Sequence, residues 1–169
     1  MTSLRNKDNL QISLLDRLTD DQPEISSEPR DKRGFSQAKL RENILRDLNW
    51  LFNSSNLATV ENLEEFPEVE SSVLNYGMPD FTGHTVSGIN VPEIERLLKK
   101  AIFDFEPRII RRSIKVKLNL DEKNMGQNAM TFDIEGELWA EPLPLQIYLR
   151  TMLDLDVGDV KVYDYSGSS

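Results

Sequence analysis

The side chains that could carry out acid–base chemistry are few in this sequence. The chain has one histidine, His84, and no cysteine. With a single histidine, His-based triads and multi-His metal sites are nearly excluded, and the lack of cysteine excludes thiolate ligands and thiol nucleophiles. His84 lies in a stretch rich in Gly, Ser and Thr, so we expect an exposed loop histidine. The sequence predicts no cofactor and no metal site.

A second chemical candidate is the alternating carboxylate row Asp133, Glu135 and Glu137. Glycosidases use two carboxylates about 5–10 Å apart, and alternate residues of a strand meet that spacing. A general acid also needs a pKa raised by burial. Carboxylates on an outward face opposite lysines have their pKa values lowered instead. The sequence therefore assigns no catalytic residue. A muralytic glycosidase of lysozyme type is the enzymatic alternative.

Length and charge restrict the remaining classes of protein. With 169 residues, the chain has the size of one domain with at most a short appended arm. It carries 20 basic and 29 acidic residues, a net charge of -9, and such a chain repels nucleic-acid phosphates. No apolar run of about 18 residues is present, so we expect no membrane insertion. The N-terminus lacks the apolar segment of a secretory signal.

Helical periodicity identifies the elements that would position any site. Apolar residues recur at helical spacing over 37–53, namely Leu40, Ile44, Leu48 and Leu51. We expect Ser36 to cap this helix, Asp47 to lie on its solvated side and Trp50 to flank the core, although Trp50 could instead protrude toward a partner.

Two further helices are expected downstream. One covers Val91 to Phe105, with Asn90 and Glu93 as a capping pair. A shorter helix is opened by Pro67 and closed by Gly77 in the left-handed conformation.

From Ile109 onward the apolar period changes to two, which predicts strands. The first strand places Arg111, Lys115 and Lys117 on its outer face, and the second places Asp133 and Glu137 outward. One hairpin register would set Lys115 opposite Asp133 and Arg111 near Glu137. A third strand covers 145–153, and residues 160–162 form a brief strand or tail.

These elements predict an α+β fold, in which two main helices pack on a small antiparallel β-meander. Residues 1–35 are expected to form an extended N-terminal arm, 36–165 a single α+β domain and 166–169 a mobile tail.

The arm contains one apolar cluster, Leu14, Leu15 and Leu18. One or two helical turns would align these three leucines. They could form a satellite contact on their own domain, or a short segment that docks into a groove of a partner. The sequence leaves both alternatives open.

Glu106, Pro107 and Arg108 lie between the second main helix and the first strand. A rigid proline between opposite charges holds two polar side chains in fixed directions. They could cap the junction internally, or they could form a recognition tip at which Arg108 offers its planar fork to a partner carboxylate.

Several segments together resemble TssE, a family of baseplate subunits of the bacterial type VI secretion system. The matching blocks are Leu14–Leu18, Leu45–Asn53, Ser72–Asp80, Phe105–Arg108 and Leu138–Pro142, in order along residues 12–165. A departure from the family pattern lies at Phe52, Asn53 and Ser54, where relatives often carry Leu-Asn-Thr followed by Arg.

The resemblance implies a cytoplasmic structural protein that joins the wedge subunits TssF, TssG and TssK. It also implies a start site for the contractile sheath of TssB and TssC, and it favours Glu106, Pro107 and Arg108 as a contact site. From the strand pattern, we expect a sheet edge at 145–153 or its neighbour to accept a strand from the sheath. A generic acidic interaction domain is the remaining alternative.

Overall fold

The computed structural model describes residues 13–19, 24, 37–119, 128–140 and 143–165. The α-helices in this part of the chain are α1 (Leu14–Leu18), α2 (Gln37–Phe52), α3 (Pro67–Glu70) and α4 (Val91–Phe105). The strands are β1 (Lys115–Asn119), β2 (Ala129–Leu138), β3 (Leu145–Asp154) and β4 (Val160–Asp164). Short 3-10 turns lie at Leu57–Thr59, Val73–Asn75, Val86–Gly88 and Arg111–Ser113. The expected cap Ser36, most of the arm and the tail 166–169 fall outside the described residues.

The strands form one antiparallel sheet in the order β1-β2-β3-β4, so neighbours along the chain are neighbours in space. The predicted α+β fold with a β-meander is confirmed. Its cause is visible in the burial pattern, because inward residues of β2 and β3 alternate with outward polar ones.

The core lies between one face of the sheet and the two long helices. Helix α2 contacts β4, α4 contacts β1, and the two helices contact each other. Their apolar stripes and the inner sheet face form one cluster, whose fully buried members include Leu48, Ile102 and Phe132. The two main helices therefore pack on the sheet as expected, and this packing fixes the position of the junction between α4 and β1.

The predicted register of the first hairpin is wrong by two residues. Lys115 lies opposite Glu135, and Lys117 lies opposite Asp133. The basic and acidic rows do share one face, since Lys115 Nζ is 3.3 Å from Glu135 Oε2. A shift of two keeps every side chain on its face, so alternation alone cannot distinguish the two registers.

The first strand also begins later than expected. Arg111 and Ser113 form a 3-10 turn, in which the Ser113 hydroxyl donates to Ile110 O and accepts from the Glu137 amide. The Arg111 guanidinium lies 4.2 Å from the centroid of the Phe103 ring rather than beside the Glu137 carboxylate. The expected Arg111–Glu137 pair is therefore wrong.

Two helix-end expectations also need correction. The helix that Pro67 opens stops after one turn at Glu70, and a separate 3-10 turn follows. Gly77 does have a positive φ of 125°, but its function is to let the chain pass close to Ser54.

At α4, Asn90 makes no side-chain cap hydrogen bond, because Pro92 occupies the first turn and the Glu93 carboxylate binds Arg96.

Candidate partner-binding site

The junction between α4 and β1 is a buried ion pair. Helix α4 ends before Pro107, whose ring forces the preceding residue out of helical geometry. Glu106 and Arg108 are then only 3% and 6% exposed. Arg108 Nε donates to Glu106 Oε1 at 2.7 Å, and Arg108 Nη2 donates to Glu106 Oε2. Glu106 and Arg108 therefore bind each other inside the junction, which was the first of the two alternatives. The Nε–Nη2 edge of the guanidinium, expected to face a partner carboxylate, binds Glu106 instead.

This pair belongs to a chain of charges that reaches the arm. Arg108 Nη2 is 2.6 Å from Asp47 Oδ2 on α2. The other oxygen of Asp47 accepts from Arg46, and Arg46 Nη1 is 2.8 Å from Asp16 Oδ1 on α1. Five charged side chains therefore connect α1, α2 and the α4–β1 junction. Asp47, expected on the solvated side of α2, is part of this network.

The ionised forms of Arg108, Asp16 and Arg46 are favoured by their partners. Burial alone would lower the pKa of Arg108, but hydrogen bonds and charge from Glu106 and Asp47 raise it. Burial would likewise raise the pKa of Asp16, yet hydrogen bonds from Arg46 and Ser13 hold it below its usual value. The pKa of Arg46 is likewise raised, chiefly by its hydrogen bond to Asp16.

A cavity of about 380 Å³ opens on this network. Its polar wall is Asp47, Glu106 and Arg108, while its apolar wall consists of Leu14, Trp50, Leu51, Tyr76 and Phe105. Tyr76 and Phe105 form an edge-to-face pair with ring centroids 5.3 Å apart. An apolar pocket with a few convergent polar groups is typical of a binding site.

The leucines of the arm are exposed beside this cavity. Leu14, Leu15 and Leu18 are 68%, 47% and 75% exposed, so they form no satellite core with the described residues. Helix α1 is instead attached through the Asp16–Arg46 pair. Leu14 lines the cavity and leaves most of its surface open to solvent.

Trp50 does not flank the core as expected. It is half exposed, it lines the cavity, and the Arg46 guanidinium lies 5.0 Å from its ring centroid. Sequence reasoning missed Asp47 and Tyr76 as members of this site. The available signal was that Asp47 and Trp50 lie three residues apart, which places them on one face of α2.

The second candidate surface is the edge of β4. The Tyr165 amide donates to Tyr148 O of β3, and alternate residues of a strand direct their main-chain groups to opposite sides. Lys161 and Tyr163 therefore bond toward β3, whereas the main-chain groups of Val162 and Asp164 point away from the sheet.

Three other outward positions along the sheet edges are capped by side chains. The Asn53 side chain accepts from the Val160 amide and donates to its carbonyl. On β1, the Leu118 amide donates to Glu95 Oε1 of α4 at 2.8 Å. Beyond the end of β4, Arg41 Nη2 donates to Gln146 O at 2.8 Å. In the described part of the chain, no side chain caps the main-chain groups of Val162 and Asp164, nor those of Val116 on β1, which point away from β2 by the same alternation.

The expectation that 145–153 itself forms the edge is wrong, because β4 pairs with Leu149–Leu153. Its neighbour β4 is the edge strand, which was the stated alternative. The cause lies in the sequence: the turn at 154–159 returns the chain, and Val160 and Val162 are spaced to join the sheet.

The residues considered for catalysis lie elsewhere and make ordinary surface contacts. Asp133 binds Arg150 at 2.7 Å, Glu135 pairs with Lys115, and Glu137 accepts from Gln146. His84 is exposed, as expected for a loop histidine.

No helix among the described residues has both the length and the apolar character that crossing a bilayer requires. Comparisons with curated proteins and with solved structures gave no match. The family model described as baseplate wedge protein gp25 matches residues 38–143, which is more than half of the chain and includes α2, α4, the buried junction, β1 and β2. The chain therefore belongs to the gp25 family of baseplate wedge proteins, the family that includes TssE, and has a structural role in a baseplate.

Proposed function

We propose that this chain is a cytoplasmic component of the type VI secretion baseplate. It joins the wedge subunits TssF, TssG and TssK, and it starts polymerisation of the TssB–TssC sheath. The proposal rests on the family and on two surfaces, the cavity at the α4–β1 junction and the edge of β4.

The observation that carries the sheath assignment is the uncapped outward stretch of β4 at Val162 and Asp164. Unpaired main-chain groups at a sheet edge accept an added strand from another protein, and the paired strand acquires a fixed register. Glu95, Asn53 and Arg41 cap outward groups of Leu118, Val160 and Gln146, whereas Val162 and Asp164 form two successive uncapped positions with which an incoming strand would pair. A first ring of sheath subunits bound in this register would then position the next ring.

A proline at Asp164 tests this assignment. The Asp164 amide points away from β3, so Asp164→Pro removes an outward donor and leaves the β3–β4 ladder intact. We expect sheath assembly in cells, followed with a fluorescent sheath subunit, to fall at least about tenfold, since an added strand loses a main-chain hydrogen bond and meets the proline ring. Asp164→Ala is the matched control, because it also loses the Arg41 contact but keeps the amide. Equal sheath assembly in the two variants would contradict the assignment.

The exposed leucines provide a test of wedge joining. We expect simultaneous replacement of Leu14, Leu15 and Leu18 by Ala to weaken complex formation with TssF and TssG by tenfold or more, because apolar side chains that become buried each contribute about 1.5–3 kcal/mol. The melting temperature of the isolated chain should stay unchanged, since all three side chains are about half exposed or more. A lower melting temperature with normal complex formation would show that the leucines stabilise their own domain instead.

A further inference from the structure

The side chain of Asn53 imitates a strand residue at the edge of β4. Its Oδ1 accepts from the Val160 amide at 2.8 Å, and its Nδ2 donates to the Val160 carbonyl at 2.7 Å. Two residues of adjacent antiparallel strands exchange the same two bonds when they form a hydrogen-bonded pair, and a side-chain amide carries the same kinds of donor and acceptor as the main chain. Asn53 therefore occupies the place of the residue that an added strand would bring opposite Val160.

Asn53 is fixed in this place from both sides. On one side, its main-chain amide and its Nδ2 both donate to Asn49 O of α2, at 3.2 and 2.7 Å. On the other side, Ser54 O accepts from the Met78 amide at 2.7 Å. An approaching strand would have to displace a side chain whose donors and acceptor are already bonded, and it would gain no hydrogen bond to Val160 that Asn53 does not already make.

The open part of the edge begins where this cap ends. Val162 and Asp164 follow Val160 at a spacing of two, so their main-chain groups point in the same outward direction. They are the uncapped positions of β4 described above, and β4 itself ends at Asp164. An added strand can therefore pair with two successive positions, and Asn53 closes the edge at one end of them.

A stop at this end would define where an added strand lies. A strand that slides by two residues keeps every side chain on the same face, so the alternation of apolar and polar residues does not oppose the slide. A slide past Val162 toward Val160 would bring the strand against the Asn53 side chain. We propose that Asn53 is a positioning residue that stops the added strand at Val162 and thereby sets its register. This inference rests on the proposed pairing of a sheath strand with β4.

Replacing Asn53 by Ala in the full chain tests the stop, and the probe is a peptide with the sequence of the arm of the sheath subunit. In the unaltered chain, we expect the peptide to slow hydrogen exchange of the Val162 and Asp164 amides and to leave the Val160 amide unchanged. In Asn53→Ala, the peptide should also slow exchange of the Val160 amide, because the strand can then pair there. The affinity for the peptide should rise about threefold to tenfold, since the added strand gains main-chain hydrogen bonds.

The direction of the affinity change separates a stop from a merely structural role. If Asn53 served only to hold β4 against α2, its loss would leave the affinity for the peptide unchanged or lower it, and either result would overturn the proposal. Glu95→Ala is the matched control, because it removes a cap from the Leu118 amide at the opposite edge of the sheet and should leave binding at β4 unchanged. The amides of Lys161 and Tyr163, which bond to β3, report whether β4 stays in the sheet.

Two hydrogen-exchange results would also overturn the proposal, and they differ in what else they affect. If the peptide protects Val162 and Asp164 in Asn53→Ala but not Val160, Asn53 is not the stop, while the assignment of the edge stands. If the peptide protects neither Val162 nor Asp164 in the unaltered chain, the proposed strand pairing fails together with this inference. Asn53→Ser, whose hydroxyl is too short to bond both main-chain groups of Val160, repeats the measurement should β4 leave the sheet in the alanine variant.

Discussion

Replacing Arg108 by Ala is expected to destabilise the domain by about 3–5 kcal/mol, because it leaves Glu106 buried without its counter-ion. Glu106 would retain the Arg108 amide as a donor but would lose both bonds from the guanidinium. Asp47 would also lose a partner, although the remaining Arg46 still binds it. The measurement is the free energy of unfolding from urea or guanidinium titration.

Arg96→Ala is the matched control for this experiment. Arg96 also binds a glutamate of its own segment, Glu93, but both side chains are exposed. Exposed ion pairs contribute little to stability, so the control should lose far less stability than Arg108→Ala. If the two variants had the same stability, the α4–β1 junction would not be the buried ion pair described here.

This result has a practical consequence for mapping partners. A loss of complex formation after Arg108→Ala is expected from unfolding alone, whether or not Arg108 contacts a neighbour. Changes at Leu14, Leu15 and Leu18, which leave the buried pair intact, probe binding more cleanly.

Gly77→Ala is expected to cost about 3 kcal/mol or more, and it is the second of the two largest effects. The glycine has a φ of 125°, which disfavours any side chain, and an added Cβ would lie 2.1 Å from Ser54 O. That oxygen accepts the Met78 amide at 2.7 Å, so the clash would separate the end of α2 from the segment that follows Gly77. Thermal or chemical denaturation measures the loss.

Gly83→Ala separates backbone strain from collision. Gly83 also has a positive φ, 80°, but nothing lies within 4 Å of the Cβ that Ala would add. We expect a cost of about 1–2 kcal/mol there, the ordinary penalty of the left-handed region. Similar losses in both variants would mean that the approach of Gly77 to Ser54 is not structurally important.

Local patterns accounted for most of the fold. The 3.6-residue period located α2 and α4, and the two-residue period located the first three strands, because each element buries one face against the same core. The fourth strand was one of two alternatives for 160–162. What these patterns lack is information about pairs distant in the chain. For this reason the predicted hairpin register is wrong by two residues. Asp133 forms its ion pair with Arg150 of β3 rather than with Lys115.

The candidate site, too, could be predicted from the sequence only in part. The sequence singled out Glu106, Pro107 and Arg108, but it could not show that Asp47, 61 residues earlier than Arg108, would meet the guanidinium. Burial of Glu106 and Arg108 depends on how α2 lies against the end of α4, which is a tertiary property. The residues left the arm leucines as either a satellite contact or a docking segment. Their exposure argues against the satellite contact, and docking into a partner stays a prediction.

The central claim, that β4 presents the edge on which a sheath strand pairs, is tested most directly by hydrogen exchange of individual amides. The probe is a peptide with the sequence of the arm of the sheath subunit. The account predicts that the amides of Val162 and Asp164 become protected when the peptide is added, while those of Lys161 and Tyr163, which already bond to β3, change little. Unchanged exchange at Val162 and Asp164 under saturating peptide, or protection only at α1, would contradict it.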